Sequence, residues 1–261
     1  MSNIQHRILE IKTKGYELDF GNIFNETLEN FKKIAIVGGM AFLIFSIILG
    51  LIFGGGFVLF AGANSMAENL ANFNIQNFSV VSLLIYFVAL VFTACIVAPF
   101  YSGILKMAYL ADQNHEFNIG TAFDYYKGSY FKELITSSAI ISLFSVGITI
   151  LLEKMGVPIV GGVMTYSISF GMVFVNPLII FGNLKAIEAI NTSLILVSKQ
   201  APLLLGLLIV ALIVCCLGFI GLCIGVFFTM PFIFSMEYVI YKSIFDFNEI
   251  SEIDEIGSFK E

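Results

Sequence analysis

The chain has 261 residues, of which 58% are hydrophobic and only 12% are charged, with a formal net charge of −6 and a mean hydropathy of +0.94. Soluble domains carry about 25% charged residues and need polar groups to cover their surface. This composition excludes a soluble globular domain, so most of the chain is expected to lie in lipid.

The first 33 residues are mostly polar and precede the first long apolar stretch. Within them, residues 22–33 place apolar side chains on one helical face and polar side chains on the other. That arrangement is typical of an amphipathic helix at a membrane interface. We therefore predict that residues 1–33 form a cytosolic segment that ends in such a helix.

Long stretches without Asp, Glu, Lys or Arg follow, over residues 34–67, 69–105, 134–152, 155–184 and 200–236. A helix needs about 20 apolar residues to cross a membrane, and continuous apolar runs favour helices over the alternating pattern of barrel strands. The predicted spans are residues 34–60, 79 to beyond Pro99, 134–152, 159–181, 202–217 and 220–244. The predicted fold is therefore all-α and polytopic, with a six-helix transmembrane domain over residues 34–245.

Two boundaries in this scheme depend on helix breakers. Glu153 and Lys154 would cost several kcal/mol in the middle of a span, so they predict a turn between the third and fourth helices. Residues 200–244 are long for one span and short for two; glycines near position 220 offer a turn. Residues 246–261 are acidic and predict a solvated, partly disordered tail.

A short pattern recurs three times, each time just before a long uncharged stretch. It consists of an apolar residue, a second one seven positions later, and Lys two positions further on. The three copies are Phe24, Phe31 and Lys33; Phe123, Tyr130 and Lys132; and Ile190, Val197 and Lys199. A proline follows each copy near the end of a later apolar run, at Pro99, Pro177 and Pro231. The repeat predicts three helical hairpins with pseudo-threefold symmetry, each preceded by an amphipathic helix.

Orientation follows from the lysines. On the six-span scheme, twelve of the thirteen Lys and Arg residues share one side with both termini, and only Lys154 lies on the other. Basic loops stay in the cytosol, so both termini are expected there. One Arg beside twelve Lys, with abundant Ile, Phe and Asn, suggests an AT-rich bacterial genome and hence the bacterial inner membrane.

The cytosolic side is still net negative, because 17 of the 19 acidic residues also lie there, against 12 basic residues, which gives −5. This balance excludes a nucleic-acid surface. The partners expected are membrane lipids and, through the cytosolic face, another membrane protein.

Reactive groups are sparse. The two histidines have no neighbour at metal-ligand spacing, and no phosphate-binding loop or nucleophile motif is present, so no catalytic residue, metal or cofactor is predicted. The candidates that remain are weak polar residues inside spans: Asn176, Glu237, Ser142 and Ser145. The two serines belong to a stripe on one face of the third span, Ser138, Ser142, Ser145 and Thr149. Such a stripe is either a polar lining or a helix-packing surface.

Asn176 precedes Pro177, where its side chain could bond the carbonyls that the proline leaves free or face a ligand cavity. Glu237 lies six residues after Pro231 and near the inner boundary of the last span. An ionisable residue inside a span is a functional hypothesis, although Glu237 could also reach the cytosolic boundary.

Two segments carry a resemblance to known families, namely "CCLGFIGLCIGVFFTMPFIFSMEYVIYKSIF" at the end and "LDFGNIFNETLENFKK" at the start. They resemble uncharacterised bacterial six-span inner-membrane proteins in a small-residue turn, an "FFT-P" element and a terminal helix with Tyr. Similar proteins are sometimes labelled carotene monooxygenases. That chemistry needs iron held by four histidines and this chain has two, so its histidine content does not support the label.

Three functions remain after these exclusions. The first is a non-catalytic membrane component that organises lipids or partner proteins, and dry packing along the polar stripes would favour it. The second is a small-solute or lipid transporter, which a polar cavity reaching Asn176 and Ser142 would favour. The third is a lipid-modifying enzyme, which would need Glu188 and Glu237 within hydrogen-bond reach of each other.

Overall fold

The computed structural model describes residues 3–61, 74–220 and 224–245, and within these ranges the fold is all-α with no β-strand. The described helices are α1 (Asn3–Lys14), α2 (Phe20–Ala61), α3 (Val80–Asp112), α4 (Phe131–Lys154), α5 (Pro158–Gly171), α6 (Val175–Ile180), α7 (Ala186–Lys199), α8 (Ala201–Leu217), α9 (Gly225–Thr229) and α10 (Pro231–Phe245). Short 3-10 segments lie at Ile75–Asn77, Ile119–Tyr126 and Gly218–Ile220. The predicted acidic tail, residues 246–261, lies outside the described residues.

Five helical stretches of the described chain are long and apolar enough to cross a membrane, which confirms an all-α polytopic membrane protein. They are Phe20–Gly55, Val80–Asp112, Phe131–Lys154, Pro158–Ile180 and Ala201–Ile220. Each overlaps one of the first five predicted spans, although the first begins 14 residues before its predicted start at residue 34. The turn predicted after the third span is also present, because α4 ends at Lys154 and α5 begins at Pro158.

The sixth predicted span, residues 220–244, is divided in the structure. Its described part consists of the short helix α9 and the 15-residue helix α10, which begins at Pro231. Proline lacks an amide hydrogen and is favoured at the first position of a helix, so Pro231 starts a new helix instead of bending an old one. Residues 200–244 are therefore not one continuous helix, and α9 and α10 both pack against α8.

The segments predicted as separate amphipathic helices take three different forms. Residues 22–33 are continuous with the first span in α2, since no Gly or Pro separates the two. The second segment is the 3-10 segment Ile119–Tyr126, which begins with a capping box at Asn118. Only the third, α7, is a separate α-helix, and the chain also forms the unpredicted helix α1.

The buried face of α7 differs from the prediction, which placed Ile187, Ile190, Leu194 and Val197 inside. Val197 is buried, Ile190 is half-buried, and Ile187 and Leu194 are 65% and 46% exposed. The buried positions are instead mainly small or polar: Ala189, Thr192, Ser193, Leu196 and Val197. In a membrane protein small and hydroxyl side chains let helices approach each other, whereas large apolar ones can face lipid.

Lysines from distant segments of the chain lie at one end of the helix bundle. Contacts there join segments far apart in sequence: Lys199 Nζ donates to the Lys12 carbonyl at 2.8 Å, and Lys33 Nζ donates to the Ala111 carbonyl at 2.9 Å. We call this the lysine-rich end. At the opposite end, Lys154 Nζ donates to the carbonyls of the loop before α3. Which side of the membrane each end faces stays a sequence-based prediction.

Helices α2, α3 and α10 meet at the lysine-rich end through buried hydrogen bonds. Asn30 Nδ2 donates to the Ala108 carbonyl at 2.7 Å, and Ser235 Oγ donates to Asn30 Oδ1 at 2.9 Å. Nearby, Asp112 accepts hydrogen bonds from the Tyr238 hydroxyl at 3.0 Å and from Lys242 Nζ at 3.2 Å. We call these six residues the α2–α3–α10 junction.

The same end is closely packed where α3 meets the 3-10 segment. A Cβ atom on Gly103 would lie 2.1 Å from the Ala122 carbonyl oxygen, which is backbone and cannot rotate away. Only a glycine fits there, and the contact fixes the 3-10 segment against α3.

Candidate functional site: a serine-lined cavity between the membrane helices

A cavity of about 340 Å³ lies between α3, α4, α5 and α6. Its polar lining residues are Tyr101, Ser137, Ser138, Ser142, Ser145, Ser169 and Asn176. The rest of its lining is apolar and includes Ala94, Ile141 and Val175. We call it the serine cavity. It lies among four of the helices that form the predicted spans, and its volume is at the lower end of the range for small-molecule sites.

The structure brings three of the four predicted site residues together here. Ser142 and Ser145 line the cavity from α4, one turn apart, and Asn176 lines it from α6. Part of the serine stripe of the third span therefore lines a cavity instead of packing directly against another helix. Its last member, Thr149, instead hydrogen-bonds the Thr165 hydroxyl of α5 and joins the two helices.

The lining hydroxyls divide into paired and unpaired groups. Ser137 and Ser142 donate to carbonyls of their own helix, at 3.0 and 3.2 Å. Ser145, Ser169 and Asn176 make no side-chain hydrogen bond to any part of the chain that the structure describes. Ser145 and Asn176 are half-buried, so they face the cavity with hydrogen-bonding capacity to spare.

The fourth span is broken beside the cavity. Helix α5 ends at Gly171 and α6 begins at Val175, with Asn176 and Pro177 in its first turn. Pro177 cannot donate a backbone hydrogen bond, which disfavours one continuous helix through this point. An interruption of this kind inside a membrane is tolerated only where protein or a polar cavity satisfies the backbone.

Ser193 of α7 forms hydrogen bonds with the backbone groups on the two sides of this break. Its hydroxyl accepts a hydrogen bond from the Phe174 amide at 3.1 Å and donates to the Gly171 carbonyl at 2.8 Å. Ser193 is fully buried. One side chain therefore pairs a donor and an acceptor on both sides of the break, which ties the segment before Asn176 to α7.

Glu237, the fourth predicted site residue, does not line the serine cavity. It is buried in α10, one turn after Phe234, whose ring lies 5.0 Å from that of Tyr101. Tyr101 lines the cavity and is close enough to Glu237 for the two groups to interact electrostatically. Within the described ranges Glu237 makes no hydrogen bond or ion pair.

The two carboxyl groups that an enzyme would need do not meet. Glu188 lines a different cavity of about 710 Å³ at the lysine-rich end, together with Glu133 and Lys185, while Glu237 is inside the bundle. Among the described residues, no group of three His, Cys, Asp or Glu side chains is placed to hold a metal ion.

Three polar lining residues were not predicted from the sequence, namely Tyr101, Ser137 and Ser169. Tyr101 follows Pro99 in α3, and Ser169 lies seven residues before Asn176 on the fourth span. Ser169 and Asn176 are two helical turns apart in spacing, which is a usable signal of a shared face. The comparable serine Ser167 is two residues away and donates only to its own helix.

Comparison with known proteins adds no family. No protein-family model matches the chain, and neither the curated proteins nor the solved structures contain a significant match. The resemblance to bacterial six-span inner-membrane proteins therefore stays a sequence-based prediction.

Proposed function

We propose that the protein binds a small, neutral, hydrogen-bonding solute in the serine cavity and moves it across the membrane. The observation that carries this proposal is the set of three unpaired polar side chains, Ser145, Ser169 and Asn176, around one cavity between membrane helices. A polar cavity of this kind holds either water or a ligand that can pair with its lining.

The chemistry of the lining defines the solute class. Serine and asparagine side chains donate and accept hydrogen bonds without carrying charge, and among the described residues no Asp, Glu, Lys or Arg lines the cavity. An ion would have to lose its hydration without a compensating charge, which is expensive in a low-dielectric interior. A neutral polyol or a similar solute with several hydroxyl groups pairs with such a lining.

The broken fourth span supports movement in addition to binding. Discontinuous helices beside a polar site near the middle of the membrane are a recurring feature of transporters. Here the break lies between α5 and α6, and Asn176 follows it directly. Among the three roles that the sequence allows, this combination favours the transporter over the lipid organiser and the enzyme.

Proteoliposomes provide the direct test. Uptake of glycerol, erythritol and xylitol would be followed by light scattering with the wild type, Ser169→Leu and Asn176→Leu. The wild type should raise the flux of at least one polyol above that of protein-free vesicles, and both variants should lower that flux at least tenfold. Ser167→Leu is the matched control, because it makes the same substitution on α5 away from the cavity. Equal flux with and without protein for all three solutes would contradict the proposal.

We also propose a bacterial inner membrane as the location, with both termini in the cytosol. The position of lysines from distant segments at one end of the bundle supports this orientation. A reporter that works only outside the cytosol should be active when it is fused after residue 70 or residue 155. A reporter that works only in the cytosol should be active when it is fused at residue 245. The opposite pattern would invert the arrangement.

A further inference from the structure

A second cavity, of about 650 Å³, lies between α2, α3 and the 3-10 segment Ile119–Tyr126. Its wall on α2 is apolar over two helical turns, from Phe45 through Ile48 to Ile52, and Phe123 closes it from the 3-10 segment. Ile48 and Ile52 are also exposed on the outer surface of a spanning helix. The cavity is therefore a groove that opens toward the hydrocarbon of the bilayer, and it shares no lining residue with the serine cavity.

Aromatic residues mark the depth of the groove. Tyr126 lines the end of the groove next to Lys127, which we call its upper end, and the neighbouring Tyr125 packs against Tyr130. Tyrosines are enriched at the boundary between membrane and water. The Tyr126 hydroxyl donates to the Ile96 carbonyl at 2.5 Å, and burial raises the pKa of Tyr126 to about 12, so it stays a donor at neutral pH. The groove thus runs from the headgroup region down into the hydrocarbon.

The upper end of the groove carries a positive charge. Asp124 lines it but is paired with Lys106 at 2.7 Å, whereas Lys127 has no hydrogen bond or ion pair in the part of the chain that the structure describes. The local sum of these three residues is two positive charges and one negative, or +1. This local positive charge differs from the net negative charge of the predicted cytosolic side as a whole.

We propose that this groove is a binding site for an anionic glycerophospholipid, with one acyl chain along α2 and the phosphate at Lys127. The apolar wall matches an acyl chain, the tyrosines match the glycerol level, and the unpaired lysine matches the phosphate. A zwitterionic lipid would fill the groove equally well but gain less from the net positive charge at its upper end. This site is independent of solute transport through the serine cavity.

Native mass spectrometry of the full chain in mild detergent tests the site. The probes are phosphatidylglycerol and phosphatidylethanolamine with the same acyl chains, added in equal amounts. The wild type should retain phosphatidylglycerol in preference, and Lys127→Gln should lower that preference about fivefold, the equivalent of about 1 kcal/mol per basic side chain at a membrane surface. Ile48→Trp, which places an indole in the groove, should lower retention of both lipids.

Matched control variants test whether lipid binds in the groove or elsewhere on the surface. Lys132→Gln removes an exposed lysine that does not line the groove, and Leu84→Trp places an indole on the exposed face of α3 away from it. Both should retain lipid as the wild type does, and so should Ser169→Leu, which alters the other cavity. Equal retention of the two lipids by the wild type, or equal losses in groove and control variants, would overturn the proposal.

Discussion

The α2–α3–α10 junction and the serine cavity are both groups of polar side chains among apolar helices, but they differ in pairing. At the junction Asn30 both donates and accepts across helices, and Asp112 accepts from two partners. In the cavity Ser145 and Asn176 have no partner among the described residues. Paired polar groups hold membrane helices together, whereas unpaired groups beside a cavity are available to a ligand or water.

The difference shows how the chain uses similar residue types for two purposes. Asn30 and Asn176 are the same residue type, and each lies among other polar side chains between helices. What distinguishes them is whether a neighbouring helix presents a complementary group at hydrogen-bond distance. The comparison therefore predicts that substitutions at the junction and its surroundings lower the free energy of unfolding strongly, and that substitutions in the cavity lower it little.

The substitution Gly103→Ala, which adds one carbon atom, should cause the largest loss of stability. A Cβ atom there would lie 2.1 Å from the Ala122 carbonyl oxygen and 2.6 Å from its Cα, so backbone would have to move. Gly103→Ala should lower the free energy of unfolding by about 3 kcal/mol, the upper end for overpacking. The measurement is unfolding in mixed micelles followed by circular dichroism.

Gly50→Ala is the matched control, since a Cβ atom on this glycine of α2 meets nothing within 4 Å. It should leave stability unchanged or raise it slightly, because alanine favours helix more than glycine does. Similar losses for the two variants would show that the lysine-rich end is not tightly packed.

Removal of the Asn30 side chain should give the next largest effect. Asn30→Ala leaves the Ala108 carbonyl and the Ser235 hydroxyl without their partner, and buried groups left unpaired cost about 1–3 kcal/mol. We expect a loss of about 2 kcal/mol in the same unfolding measurement. Asn25→Ala, on an exposed position of the same helix, should cost far less.

A double-mutant cycle with Ser235→Ala sharpens this prediction. If Asn30 and Ser235 are coupled through their hydrogen bond, the double variant should lose less stability than the sum of the single variants. Strict additivity would mean that the bond contributes nothing to the junction.

The helix break offers an intermediate case, because Ser193 is fully paired yet adjoins the cavity. Ser193→Ala removes one acceptor and one donor from the ends of α5 and α6 and should cost about 1.5 kcal/mol. It should also lower polyol flux, since Asn176 would no longer be held in place. Ser198→Ala, at the exposed end of α7, should change neither quantity.

Much of the fold could be predicted because lipid as a solvent leaves a strong signal in composition. The charge-free stretches located five spanning helices, and Glu153 with Lys154 located a turn. The division at Pro231 and the continuous helix α2 were not predicted. Both depend on whether one helix ends before the next begins, which local propensity decides only weakly.

Only part of the candidate site could be predicted, because spacing along one helix does not identify the neighbouring helices. The spacing of Ser142 and Ser145 shows that they share a face of α4, but not which neighbouring helix that face meets. Thr149 belongs to the same stripe and bonds α5, whereas Ser145 adjoins the cavity. Tyr101 and Ser169 complete the lining from other helices, and this assembly is a property of tertiary packing.

The smallest stability effect is expected inside the cavity, where Ser145→Ala removes the unpaired hydroxyl and adds no atom. No hydrogen bond within the described chain is lost, so the free energy of unfolding should change by less than about 0.5 kcal/mol. Polyol flux in proteoliposomes should nevertheless fall at least tenfold, because the solute loses a partner. A stability loss as large as that of Asn30→Ala would show that Ser145 is a packing residue, and the contrast between junction and cavity would fail.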